Sequence, residues 1–89
     1  MTAISDKMAG LTAFVATVES GSFSTASEQL GTTPSAISKS VGRLEQRLGT
    51  KLFRRSTRSL TLTVEGAAYY ERAAPLLREL EDAEEVARS

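Results

Sequence analysis

The 89 residues carry eleven Lys and Arg against eleven Asp and Glu, giving zero formal net charge, and they contain neither Cys nor His. Disulfides, the usual zinc sites, thiol nucleophiles and imidazole acid-base chemistry are therefore unavailable, which excludes most enzyme classes, and no cofactor or metal is expected. No apolar run approaches the roughly 20 residues of a membrane span and the N-terminus lacks a secretory pattern, so one small cytoplasmic domain is expected.

Residues 1–7 show no periodicity and read as a flexible N-terminus. From Met8 the apolar residues Met8, Leu11, Phe14, Val15 and Val18 recur at helical spacing until Glu19-Ser20-Gly21 supplies a stop. Ser22 or Ser24 is positioned to cap a second, short helix to about Gln29, with Phe23, Ala26 and Leu30 facing inward and Gly31-Thr32 forming a turn. Ala26 has two readings, a small residue where two helices pass closely or simply a good helix former.

The third helix is the most strongly specified. Thr33 is a cap, Pro34 suits the first helical position, where its missing donor costs nothing, and Gly49 closes the end in a left-handed conformation. Ile37, Val41, Leu44 and Leu48 fall on one stripe, which is expected to be buried. The opposite face carries Ser35, Ser38, Lys39, Gly42, Arg43 and Gln46, short polar or cationic groups that suit phosphates and base edges. A short helix, a Gly-containing turn and a capped helix with a cationic outer face form a helix-turn-helix arrangement.

Beyond Gly49, Lys51 to Arg55 and Ser59 to Leu62 are β-compatible runs joined by a turn at Ser56-Thr57-Arg58, a two-stranded wing. Leu52, Phe53, Leu60 and Leu62 supply its inner side, while Arg54, Arg55 and Arg58 are expected to project outward or from the tip. Arg58 suits a narrow, electronegative minor groove. Thr63 then caps a helix from Val64 to about Ala87. Its residues Tyr69, Ala73, Leu76, Leu80, Ala83 and Ala87 follow the alternating three- and four-residue spacing of a coiled-coil seam, so a partner helix is expected. Contact with helix 1 is assigned to the first turns, near Ala67 and Tyr70, and a local bend to Pro75. The fold class is thus mainly α: a winged helix-turn-helix of three helices and a two-stranded wing over residues 8–62, followed by a long linker and dimerisation helix over 63–89.

Zero net charge conceals a segregated distribution. Residues 33–62 hold seven cations against Glu45 alone, a local excess of six, whereas residues 63–89 hold seven acids and three arginines. So concentrated a basic centre marks a nucleic-acid footprint better than a merely solvated face.

Three pieces together, LTAFVATVESGSFSTASEQLG, TPSAISKSVGRLEQRLGTKLFRR and LTLTVEGAAYY, resemble the N-terminal DNA-binding domain of LysR-type transcriptional regulators over nearly the whole chain. The resemblance implies a bacterial regulator that dimerises through its linker helix and reads an interrupted palindrome of double-stranded DNA, with one recognition helix per major-groove half-site and the wing in the minor groove. Base and phosphate contacts map by resemblance to Thr33, Pro34, Ser35, Ser38 and Lys39 and to the wing residue Arg58; the outward-facing cations add Arg43, Arg54 and Arg55. Many members have Gln then Pro where this chain has Pro34 then Ser35, which removes an amide that could read adenine. Lys39 stands where many have Arg, without the two-pronged geometry that favours guanine. Gly42 either permits close backbone approach to a phosphate or is a tolerated weakness costing about 1 kcal/mol relative to Ala. The resemblance also implies a larger C-terminal domain that binds a small-molecule effector, so the chain reads as a DNA-binding piece of a longer regulator. The alternative is a protein interaction module that uses the same fold without reading DNA.

Overall fold

The computed structural model describes residues 4–89. In chain order they form α1 (Ile4–Ser20), α2 (Phe23–Leu30), α3 (Pro34–Leu48), β1 (Phe53–Arg55), β2 (Leu60–Leu62) and α4 (Val64–Arg88). α1 begins earlier than the periodicity indicated: Ile4 to Lys7 add a first turn in which Asp6 faces the positive end of the helix dipole. Residues 1–3 of the expected flexible segment lie outside the described residues.

The helix boundaries follow their local chemistry. Ser22 Oγ accepts from Thr25 N at 3.0 Å, Thr33 Oγ1 from Ala36 N at 3.2 Å and Thr63 Oγ1 from Gly66 N at 2.9 Å, so each of the last three helices opens on a side-chain cap. Gly31 and Gly49 close α2 and α3 at φ of 67° and 69°, a region that side chains with a Cβ rarely enter.

α1, α2 and α3 pack on one another around Phe14, Val41 and Ala26, all fully buried. Burial in α2, between α1 and α3, favours the close-approach reading of Ala26. Phe14 is also an aromatic hub, with its ring centroid 5.4 Å from that of Phe53 and 5.3 Å from that of Tyr69. Burial raises the Tyr69 phenol above its ordinary pKa, with Arg47 opposing. Leu48 and Leu30, both expected inward, are 44% and 40% exposed. Each is the last residue of its helix, where the left-handed glycine turns the chain away from the neighbour that would have covered it. The buried α3 set is instead Ile37, Val41, Leu44 and Glu45.

The wing is shorter than the β-compatible runs: Phe53 pairs with Leu62, Arg54 with Thr61 and Arg55 with Leu60, antiparallel. Thr63 anchors it to α4, its N–H donating to Leu52 O at 3.0 Å and its hydroxyl to Lys51 O at 2.7 Å.

α4 runs on through Pro75 and divides into two halves. Gly66, Tyr69, Tyr70, Ala73, Ala74 and Leu77 turn towards the body of the domain, and Tyr70 Oη donates to Glu19 at 2.8 Å. Ala67, expected in the same contact, is exposed although it shares the helix face of buried Ala74 one heptad later. Of the expected seam, Tyr69 and Ala73 are engaged with the chain's own core, whereas Leu76, Leu80, Ala83 and Ala87 are exposed.

Candidate nucleic-acid interface

Two elements converge on one side of the molecule. The caps of α3 fix which face points outward: with Ile37, Val41 and Leu44 held in the core, Thr33, Pro34, Ser35, Lys39, Arg43 and Gln46 are exposed and Ser38 is half-buried. The start of α3 and the wing line a common hollow of about 550 Å³ whose walls include Pro34, Arg55, Ser56 and Arg58. The tip that carries Arg58 is a tight turn, with Ser56 N donating to Ser59 O at 2.9 Å and Ser59 N to Ser56 Oγ at 3.0 Å. The start of α3 and the wing arginine are therefore adjacent.

The electrostatics of this side are uneven. Among the described residues, Lys51 and Arg55 pair with Glu45, Arg78 with Glu19 and Arg88 with Glu85, whereas Lys39, Arg43, Arg54 and Arg58 have no acidic partner. An exposed cation without a counter-charge is free to neutralise a phosphate and release the cations condensed on it. Arg54 lines a hollow separate from that of Arg58, with Thr50, Thr63 and Glu65. Gly42 has open space around the position of a Cβ, so no packing demand inside the domain requires glycine there.

Arg55 is placed differently from the sequence expectation of an outward cation. Strand alternation puts it on the same face as buried Phe53 and puts Arg54 on the other. Its Nη1 donates to Ser38 Oγ at 2.8 Å, its Nη2 lies 3.5 Å from Glu45 Oε1, and its Cζ sits 5.0 Å from the centroid of Phe23. Glu45 enters the sequence reading only as the lone acid of the basic segment, with no structural role. Its carboxylate is buried at the C-terminal end of α3 and accepts from Leu52 N at 2.8 Å and Phe53 N at 3.2 Å. The available signal was that Glu45 is the lone acid of the basic segment and directly follows Leu44 on the apolar stripe.

Among the described residues no helix is long and apolar enough to cross a membrane, and no cluster of acidic side chains could hold a metal. Residues 8–67 match the bacterial regulatory helix-turn-helix proteins of the lysR family. The chain is 55% identical over 74 residues to the HTH-type transcriptional regulator CrgA of Neisseria meningitidis serogroup C, covering 83% of this chain and 25% of that one. It thus spans about a quarter of the length of the curated relatives it matches. Among solved structures, the BenM DNA-binding domain in complex with benA site 1 DNA superposes with a TM-score of 0.79 at 32% identity, covering 89% of each chain. The full-length virulence activator AphB of Vibrio cholerae superposes with a TM-score of 0.83 at 30% identity, covering 97% of this chain and 28% of that one.

Proposed function

The chain belongs to the lysR family of bacterial regulatory helix-turn-helix proteins, and on that premise we propose that it is the part of a transcriptional regulator that binds a specific double-stranded DNA sequence. Residues 8–62 are the reader. The first turns of α3, through Thr33, Pro34, Ser35, Ser38 and Lys39, enter the major groove, Arg43 and Arg54 hold phosphates, and Arg58 reaches the minor groove. The observation that carries this is the wing hollow that joins Pro34 to Arg58, together with the exposed cations Lys39, Arg43, Arg54 and Arg58, which have no acidic partner among the described residues. The work is done in the cytoplasm, and control by a small-molecule effector, which family membership implies, is assigned to no residue of this chain.

The test is selection from random duplexes at two salt concentrations, which separates phosphate attraction from base reading. An interrupted palindrome should be enriched. Binding without sequence enrichment would return the fold to a role in protein contacts. Lys39→Ala should lower operator affinity about tenfold or more and relax the preference at one base pair in each half-site, the effect of losing a base contact worth roughly 1–3 kcal/mol. Equal loss on operator and random DNA would make Lys39 a phosphate anchor instead.

Residues 63–89 are proposed as the homodimerisation helix. Leu76 and Leu80 remain 62% and 41% exposed, and beyond Leu80 every residue of α4 faces solvent in the single chain. A second copy is the occupant that matches an interrupted palindrome, because two-fold symmetry of the protein then repeats that of the site. Leu80→Asp puts a charge in this contact and is expected to give a monomer by sedimentation, with far greater loss on a two-half-site duplex than on a single half-site. A wild-type sedimentation coefficient would remove Leu80 from the interface.

A further inference from the structure

We infer that Arg55 is a positioning residue that fixes the Ser38 hydroxyl of α3 for base reading, and is not itself a phosphate ligand. The inference rests on the DNA-reading assignment above. Three contacts made by one guanidinium carry it: Ser38 Oγ at 2.8 Å, the Glu45 carboxylate at 3.5 Å and the Phe23 ring at 5.0 Å. They join β1 to the second turn and the last turn of α3 and to the first turn of α2. A guanidinium facing a carboxylate and an aromatic ring is already partly neutralised and oriented, and one of its five donors is committed to Ser38. Lys39, Arg43 and Arg58 carry no such commitments to acidic groups among the described residues.

The consequence for reading lies at Ser38. A serine hydroxyl has one proton and two lone pairs. With Arg55 donating into one lone pair from the wing side, the proton is directed away from Arg55. One lone pair remains, but a charged donor on the oxygen polarises the O–H bond and strengthens its donation to an acceptor on the base edge, such as a purine N7, guanine O6 or thymine O4, relative to acceptance from the amino groups of adenine and cytosine. Arg55 in this way sets both the distance from wing to α3 and the hydrogen-bonding polarity of one reading group.

The experiment compares wild type, Arg55→Lys, Ser38→Ala, the double variant, Arg55→Gln and Arg58→Gln in the duplex selection, followed by affinity titrations over a range of salt. Arg55→Lys keeps the charge but cannot hold Ser38, Glu45 and Phe23 together in one planar fork. It should lose about tenfold of the discrimination at the base pair read by Ser38, a loss of the size expected for one base contact. Ser38→Ala should lose the same, and the double variant no more, because both changes remove one device. Arg55→Gln should leave the salt slope of operator binding at the wild-type value, whereas Arg58→Gln should lower it by about 0.9 per subunit, the size expected when one DNA-bound cation is lost. An unaltered base preference in Arg55→Lys overturns the inference, as does a slope in Arg55→Gln that falls with that of Arg58→Gln. Should Arg55→Gln not fold, Arg55→Lys and Ser38→Ala still decide the matter. If wild type enriches no sequence, the DNA-reading assignment itself fails and this inference falls with it.

Discussion

Gly66→Ala should destabilise the domain by at least about 3 kcal/mol, a value set by overpacking against backbone. A Cβ at Gly66 would lie 2.9 Å from the carbonyl carbon of Leu52, closer still to its oxygen, and 3.0 Å from Leu62 Cδ2. Rotamer changes cannot relieve a clash with backbone. Leu52 is 1% exposed and its oxygen accepts from Thr63 N at 3.0 Å, so it cannot retreat without breaking the joint that fixes α4 to the wing. Pushing α4 outward would also strain the bond from Thr63 Oγ1 to Lys51 O and draw Tyr69 from Phe14. Helix propensity acts the other way, favouring Ala over Gly by about 1 kcal/mol in a helix interior. Gly42 separates the two effects: it is also inside a helix, but a Cβ there meets nothing within 4 Å. Urea denaturation should therefore show Gly66→Ala with a midpoint far below wild type and Gly42→Ala with one slightly above. A wild-type midpoint for Gly66→Ala would mean that α4 is not seated on Leu52. Weaker DNA binding by a stabilised Gly42→Ala would show that glycine is present there for close approach to a phosphate.

What was legible in the sequence were features decided within a few residues of chain. Thr33, Pro34 and Gly49 bound α3 as expected because a cap, a fixed φ and a left-handed exit need no knowledge of the rest of the fold. Thr63 opens α4 for the same reason. Periodicity alone assigned Leu48 to the core and left Glu45 outside it, an order the structure reverses. A helical wheel gives the angle of a residue but not the extent of its neighbour, and the loop that begins at Gly49 returns over Glu45 and leaves Leu48 beside open space. The wing arginines show a similar limit. Alternation assigns Arg54 and Arg55 to opposite faces, but which face meets α3 depends on the register of Phe53 against Leu62 and on the seating of Phe53 against Phe14 and Phe23. The seam of α4 was drawn six residues long from spacing, yet its first two members are already engaged with this chain's own core.

Glu45→Ala should be the other severe loss, about 2–4 kcal/mol, set by unpaired buried donors. The Glu45 side chain is 3% exposed, and one carboxylate oxygen accepts from two successive backbone donors, Leu52 N at 2.8 Å and Phe53 N at 3.2 Å. Each donor left unpaired in a buried site costs about 1–3 kcal/mol, partly offset because a desolvated charge has also been removed. The ion pairs contribute less. Lys51 is 3.9 Å away with an 80% exposed side chain, where water screens the attraction, and Arg55 at 3.5 Å is 41% exposed. Glu45→Gln separates the two kinds of interaction, since its amide oxygen still accepts from Leu52 and Phe53 while the charge facing Arg55 is gone. It should cost about 1–2 kcal/mol, between wild type and Ala. A Gln variant as unstable as the Ala variant would move the main contribution to the Arg55 pair. An Ala variant with the wild-type urea midpoint would show that water replaces the carboxylate and that the joint is not sealed. Removing the acceptor frees the chain between α3 and β1, the path that also holds Arg55 beside Ser38. Operator binding by Glu45→Ala should accordingly fall even under conditions where most of the protein remains folded, whereas Leu80→Asp, which in the proposed dimer would separate the two copies, should leave binding to a single half-site nearly intact.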